Sequence, residues 1–189
     1  MAQATEFRGY GPVTLAATGL LALVAASAQA LWSPDPARHI LIYVSIWVST
    51  AVIAATLIGV QTVTRTRRIH SGLADEMIHM AVEQFLPSVA AGALLTLLLV
   101  RSASSVLWLL PGLWQIIFGL GVFASCRFLP RPMVAVGVWY LSAGLASIAL
   151  GPGNALSPWT MGVAYGIGQF LVAGILYFTA EEVRDDNKI

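Results

Sequence analysis

The residues whose side chains could most readily carry out chemistry lie around the start of the third apolar stretch of the chain. Asp75, His79 and Glu83 recur every four residues, so a helix places them on one face, with Glu76 at its side. Histidine titrates near neutral pH, and an acid at the edge of a hydrocarbon layer is costly and commonly functional. The spacing therefore favours a proton relay or cation gate made of Glu83, His79 and Asp75.

Two other interpretations of this stripe stay open. In the first, Asp75 and Glu76 pair with a nearby basic cluster and His79 faces lipid headgroups, so the charges serve solvation and topology. That cluster comprises Arg65, Arg67 and Arg68. In the second, His79 and Glu83 bind a divalent metal, but they supply two ligands and His70 is the one nearby addition. We therefore predict no metal site and no cofactor.

A second candidate set lies inside the apolar stretches. Gln115 and Gln169 fall near the middle of predicted helices, where each amide needs a hydrogen-bond partner and should face the bundle interior. Pro87 and Pro111 interrupt two of these helices, and interrupted helices beside polar groups are how transporters build sites at mid-membrane. We predict solute contacts from Gln115, Gln169 and Trp114, with simple interhelical hydrogen bonding as the alternative.

The composition excludes an ordinary water-soluble protein. Of 189 residues, 58% are hydrophobic and only 10% charged, against about a quarter charged in soluble domains. A net charge of +1 provides no field for nucleic acid, and the single cysteine, Cys126, excludes an internal disulfide. These values predict an integral membrane protein whose first partner is the lipid bilayer.

Charged residues and turns divide the chain into six apolar stretches, each near the roughly 20 residues that span a bilayer. The predicted helices cover 12–32, 40–61, 82–100, 106–125, 133–150 and 159–179. Continuous apolar runs exclude strands of alternating polarity. We predict an all-α integral membrane protein, a single domain with a six-helix transmembrane bundle. A cytoplasmic amphipathic connector covers 62–81, and an acidic cytoplasmic tail covers 180–189.

Basic residues indicate the orientation of this bundle. Most of them fall on one side of the membrane if the N-terminus is cytoplasmic, and only Arg38 and Arg101 fall on the other. The cytoplasmic set, which could also hold lipid headgroups, includes Arg65, Arg67, Arg68, Arg127 and Arg131. We predict a bacterial-type inner membrane and two cytoplasmic termini. A cleaved signal peptide over 1–30 is the alternative, although the apolar run continues to Trp32.

Two weaker patterns concern symmetry and packing. The triplet Gln-Phe-Leu recurs at 84–86 and 169–171, and similar matches keep their order in the two halves. They favour two inverted three-helix repeats, as in secondary transporters, with chance alignment of apolar sequence as the alternative. Gly162 and Gly166 form a GxxxG motif that allows close helix approach within the chain or between protomers.

Together these features predict transport or permeation of a small solute or proton through the helix bundle. The alternative is a non-catalytic membrane subunit or sensor that binds a partner through residues 62–81 or the glycine face of the last helix. An intramembrane enzyme is the third hypothesis, although no HExxH, GxSxG or phosphate-binding loop occurs. A homo-oligomer or a partner membrane protein fits these hypotheses; nucleic acid does not.

Overall fold

The computed structural model describes residues 12–33, 36, 38–66 and 72–186, with the backbone alone at 62–66, 72–79, 104 and 180–186. Within these ranges the regular structure is entirely helical, which confirms the all-α prediction, and no strand occurs. The six α-helices are α1 Pro12–Trp32, α2 Ile40–Thr66, α3 Gly72–Ser102, α4 Leu110–Ser125, α5 Met133–Ala149 and α6 Pro158–Asp186. Short 3₁₀ helices at Ser104–Leu109 and Cys126–Phe128 flank α4.

Helical backbone makes up most of the predicted 62–81 connector between α2 and α3, because α2 continues to Thr66 and α3 begins at Gly72. With 31 residues, α3 is about 46 Å long, which exceeds the roughly 30 Å core of a bilayer. The Asp75–Glu83 stretch is therefore the first part of α3 itself.

The helices containing the two prolines are built differently. Pro87 lies inside a continuous α3. Pro111 occupies the first turn of α4, directly after the 3₁₀ helix, where a missing backbone N–H costs no intrahelical bond. The predicted interruption of the fourth helix is thus a junction between 3₁₀ and α geometry at its start.

Two antiparallel helix pairs form the centre of the bundle, and small residues bring each pair close. In the α1–α6 pair, a Cβ added at Gly19 would lie 3.1 Å from the Gly166 carbonyl oxygen. In the α4–α5 pair, a Cβ at Gly112 would lie 2.7 Å from the Gly144 carbonyl oxygen, and one at Gly144 would lie 2.6 Å from that of Gly112. Side chains larger than hydrogen would push these helices apart.

The other two helices lie at the edges of the bundle. α2 packs on α1 through Tyr43 and Trp47, and α3 packs on α4, where a Cβ at Gly121 would meet Phe85. Only 11% of the apolar window of α2 and 6% of that of α3 is buried, against 44% for α6. Most of the surface of both edge helices is therefore exposed and apolar.

The lengths and hydropathies of the helices fit a bilayer. Five helical segments among the described residues are long and apolar enough to cross one, and α5 is a shorter apolar helix of 17 residues. We call the end at which α1 begins, near residues 126–132, the termini end. The opposite end, with residues 33, 36, 38–39, 103–109 and 150–157, is the loop end.

The helix packing does not show a twofold symmetry between the two halves of the chain. An axis relating α1–α3 to α4–α6 would make the α2–α3 pair equivalent to the α5–α6 pair. α5 and α6 pack side by side, whereas α2 and α3 make no contact of comparable extent in the part of the chain that the structure describes. The inverted repeat stays a prediction from sequence.

Candidate functional site

A buried amide joins three helices near the loop end. Gln115 of α4 is fully buried, and its Nε2 donates to the Thr160 carbonyl oxygen of α6 at 3.0 Å. Its Oε1 accepts a hydrogen bond from Ser147 Oγ of α5 at 3.3 Å. This arrangement is interhelical hydrogen bonding, the alternative role considered for Gln115.

A second buried amide, Gln29 of α1, performs the same task for other elements. Its Nε2 donates to the Leu156 carbonyl oxygen at 3.0 Å, and Trp47 Nε1 of α2 donates to its Oε1 at 2.7 Å. One side chain thus ties α1 to α2 and to the turn before α6. These bonds satisfy polar groups that water could not reach.

Gln169 and Trp114, the other predicted solute contacts, lie elsewhere. Thr18 Oγ1 of α1 donates to Gln169 Oε1 at 3.2 Å, and Trp114 Nε1 donates to Thr96 Oγ1 of α3 at 2.8 Å. Gln169 follows Thr160, the partner of Gln115, by nine residues, or roughly 13 Å along a helix. The structure therefore places Gln115 and Gln169 at two depths and not at one shared site.

Aromatic residues fill the level between these two glutamines. Tyr165 lies four residues after Met161, whose sulfur is 3.6 Å from Gln115 Nε2, and four before Gln169, so the three share one face of α6. The centroid of the Tyr165 ring lies 5.2 Å from that of Tyr140 on α5 and 5.5 Å from that of Phe118 on α4. Tyr165 also packs against the cluster that contains Tyr43 of α2.

Two hydroxyl groups at this level are buried without a hydrogen-bond partner among the described residues. Tyr43 and Tyr140 are both 0% exposed, and neither hydroxyl is satisfied. The Tyr140 hydroxyl packs against Gly168, where any side chain would collide with it, and the Gln169 side chain lies beside it. We call this set the interior column: Gln115, Ser147, Tyr43, Tyr165, Tyr140 and Gln169.

The predicted gate is not part of the interior column as far as its side chains are described. Glu83 lies at an exposed position of α3. Two residues before Glu83, the Ala81 carbonyl oxygen accepts a hydrogen bond from Ser125 Oγ of α4 at 3.0 Å. Ser125 follows Gln115 by ten residues, or about 15 Å along α4, so this part of α3 lies far from Gln115. The side chains of Asp75 and His79 lie outside the described residues.

The arginines predicted to hold lipid headgroups also lie away from the interior column where the structure describes their side chains. Arg127 and Arg131 are exposed at the termini end. Arg67 and Arg68 lie outside the described residues, as does the side chain of Arg65. No group of three metal-ligating side chains occurs in the described part of the chain.

The glycines predicted for helix packing face α1 within the same chain. A Cβ at Gly162 would meet Ala26, and one at Gly166 would lie 3.1 Å from Leu23 Cδ2. The GxxxG motif thus supports the α1–α6 pair described above.

Sequence reasoning missed five buried residues of the interior: Gln29, Ser147, Tyr43, Tyr140 and Tyr165. Gln29 is the lone amide within α1, and its position in an apolar stretch could have marked it in the way that Gln115 was marked. The four-residue spacing of Met161, Tyr165 and Gln169 could have identified the inward face of α6. Nothing in the sequence distinguishes Tyr43 and Tyr140 from tyrosines at a membrane surface.

Comparisons with known proteins give one partial match. No protein family matches this chain, and no solved structure matches it. Fluoren-9-ol dehydrogenase of Terrabacter sp. (strain DBF63) is 33% identical over 81 residues, which cover 39% of this chain. The match spans 23% of that protein, so this chain corresponds to less than a quarter of its length and takes no activity from it.

Proposed function

We propose that the protein is a six-helix integral membrane protein that allows a small solute or proton to permeate along the interior column. The apolar surfaces of α2 and α3 support the membrane location, since so much exposed apolar area is unfavourable in water. The basic residues support cytoplasmic termini and a bacterial-type inner membrane. Asp75, His79 and Glu83 stay a prediction for the cytoplasmic part of α3.

One observation carries the proposal: the buried, unpartnered hydroxyls of Tyr43 and Tyr140. A hydroxyl group that forms no hydrogen bond in an apolar medium is costly, and in a bilayer the surrounding lipid cannot satisfy it. Two such groups flank Tyr165, with amides above and below at Gln115 and Gln169. A passing polar molecule can supply the missing partners, and the column then offers it successive hydrogen bonds between the levels of Gln115 and Gln169.

Flux through liposomes containing the purified protein tests this function. We expect solute or proton flux above that of protein-free vesicles, and we expect Tyr140→Phe to slow it by about twofold to tenfold, the effect of one lost hydrogen bond. Tyr177→Phe is the matched control because Tyr177 is 53% exposed. Folded protein that passes nothing, or equal flux in the two variants, would contradict the proposal.

A further inference from the structure

Resting on the proposed function, we infer that the permeating species is a small neutral molecule with hydrogen-bonding groups, and not an ion. The side chains of the interior column are amides, aliphatic and phenolic hydroxyls and aromatic rings. None of these carries a charge near neutral pH. An ion that left water for this column would therefore meet no opposite charge to offset its desolvation.

Charged side chains on the neighbouring elements do not change this conclusion. Those that the structure describes lie at exposed positions, with Glu83 within α3 and the others near helix ends: Arg38, His39, Arg101, Arg127 and Arg131. Neither α5 nor the described side chains of α6 include a charged residue. No acid–base relay therefore lines the described part of the column, as a proton path built from titrating groups would require.

Backbone carbonyl groups, which some pores use to replace the water around a cation, already have partners beside the column. The Thr160 carbonyl oxygen accepts from Gln115, and the Ala164 carbonyl oxygen accepts from Trp139 Nε1 at 2.8 Å. The Leu156 carbonyl oxygen accepts from Gln29. These oxygens bind side chains, so they do not form a ring directed at an ion.

The groups that remain match a neutral solute. The hydroxyls of Tyr43 and Tyr140 can each donate a hydrogen bond to a carbonyl or hydroxyl oxygen. The centroid of the Phe118 ring lies 4.6 Å from that of Tyr140 and 5.5 Å from that of Tyr165. These three rings therefore narrow the column at the level of the Tyr140 hydroxyl. Small amides and alcohols combine the required oxygen acceptor, small size and lack of charge.

Parallel flux measurements on one preparation of proteoliposomes test the inference. Urea uptake is followed by light scattering, proton entry by an enclosed pH dye, and potassium release by an electrode. We expect urea uptake several-fold above protein-free vesicles and no added proton or potassium flux. Tyr43→Phe and Tyr140→Phe should each slow urea uptake by about twofold to tenfold.

A second variant pair examines the constriction itself. Phe118→Ala removes the ring beside Tyr140 and should speed urea uptake, whereas Phe178→Ala should leave it unchanged because Phe178 is 64% exposed. Proton or potassium flux without urea flux would overturn the inference and leave permeation through the protein intact. Absence of flux for all three probes, with the protein folded, would instead overturn the proposed function.

Discussion

At the residue scale, the two buried tyrosine hydroxyls are the least expected feature of the interior. Thr18, Ser125 and Ser147 show the usual solution, since each buried hydroxyl donates to a carbonyl or amide oxygen. Tyr43 and Tyr140 are equally inaccessible but have no such bond among the described residues. Their polar atoms therefore reduce stability in the state that the structure shows.

Stability measurements on hydroxyl deletions should reveal this cost. Tyr140→Phe removes an unsatisfied group, so we expect the free energy of unfolding in detergent to stay unchanged or to rise by up to about 1 kcal/mol. Thr18→Val is the matched control because its hydroxyl bonds to Leu15 and Gln169, and we expect a loss of about 1 kcal/mol. Equal destabilisation by the two substitutions would show that the Tyr140 hydroxyl has a structural partner.

How far single residues could be predicted depended on their chemistry. An amide inside an apolar helix has few favourable locations, so the interior position of Gln115 followed from its type alone. A tyrosine is stable in a core and at a membrane surface, so the burial of Tyr43 and Tyr140 needed the helix packing. The partners of Gln115 could not be predicted either, because they depend on the register of α4 against α5 and α6.

At the element scale, close approach of α4 and α5 depends on Gly112 and Gly144. Each glycine faces the carbonyl oxygen of the other at a distance that leaves no room for a methyl group. The approach brings Ser147 within hydrogen-bond distance of Gln115. Packing of this pair therefore sets the geometry at one end of the interior column.

Two glycine substitutions should have opposite effects on stability. Gly144→Ala would place a Cβ 2.6 Å from the Gly112 carbonyl oxygen, and we expect a loss of about 1–3 kcal/mol from overpacking. On α2, a Cβ added at Gly59 would have no neighbouring atom within 4 Å. The higher helix propensity of alanine in Gly59→Ala should therefore raise the free energy of unfolding by about 0.5–1 kcal/mol. Thermal unfolding in the same detergent compares them; a neutral Gly144→Ala would contradict the packing described here.

The helices themselves were largely predictable, whereas some of their limits were not. Six helices follow from the apolar stretches because continuous hydropathy needs no tertiary information. α2 extends to Thr66, beyond the predicted limit at residue 61, because hydropathy marks only the apolar part of a helix. The helical start of α3 ahead of its apolar part followed from the four-residue spacing of Asp75, His79 and Glu83. The expected break at Pro111 became a helix start since proline is favourable in a first turn.

At the scale of the whole molecule, an apolar perimeter surrounds a largely apolar core that encloses a few buried amides and hydroxyls. The edge helices α2 and α3 expose apolar side chains such as Val52, Leu94 and Leu97, while the amides of Gln29 and Gln115 are buried. This is the distribution that a bilayer favours, because lipid cannot satisfy polar groups at the perimeter. It agrees with the proposed membrane location.

Reporter fusions test the proposed orientation. The excess of basic residues at the termini end predicts that this end is cytoplasmic. We expect a C-terminal green fluorescent protein fusion to fluoresce, and alkaline phosphatase fused within residues 33–39 to be active. Active phosphatase at the C-terminus would invert the bundle or remove one of its spans.

Cysteine accessibility along α6 measures most directly whether polar molecules enter the interior column. In a Cys126→Ser background, Tyr165→Cys and Gln169→Cys face the column, whereas Ile167→Cys and Leu171→Cys occupy exposed apolar positions. In native membranes, we predict that a small water-soluble thiol reagent modifies the first pair and spares the second, which lipid covers. Modification of Ile167→Cys and Leu171→Cys, or of none of the four, would contradict a membrane protein with a permeable polar interior.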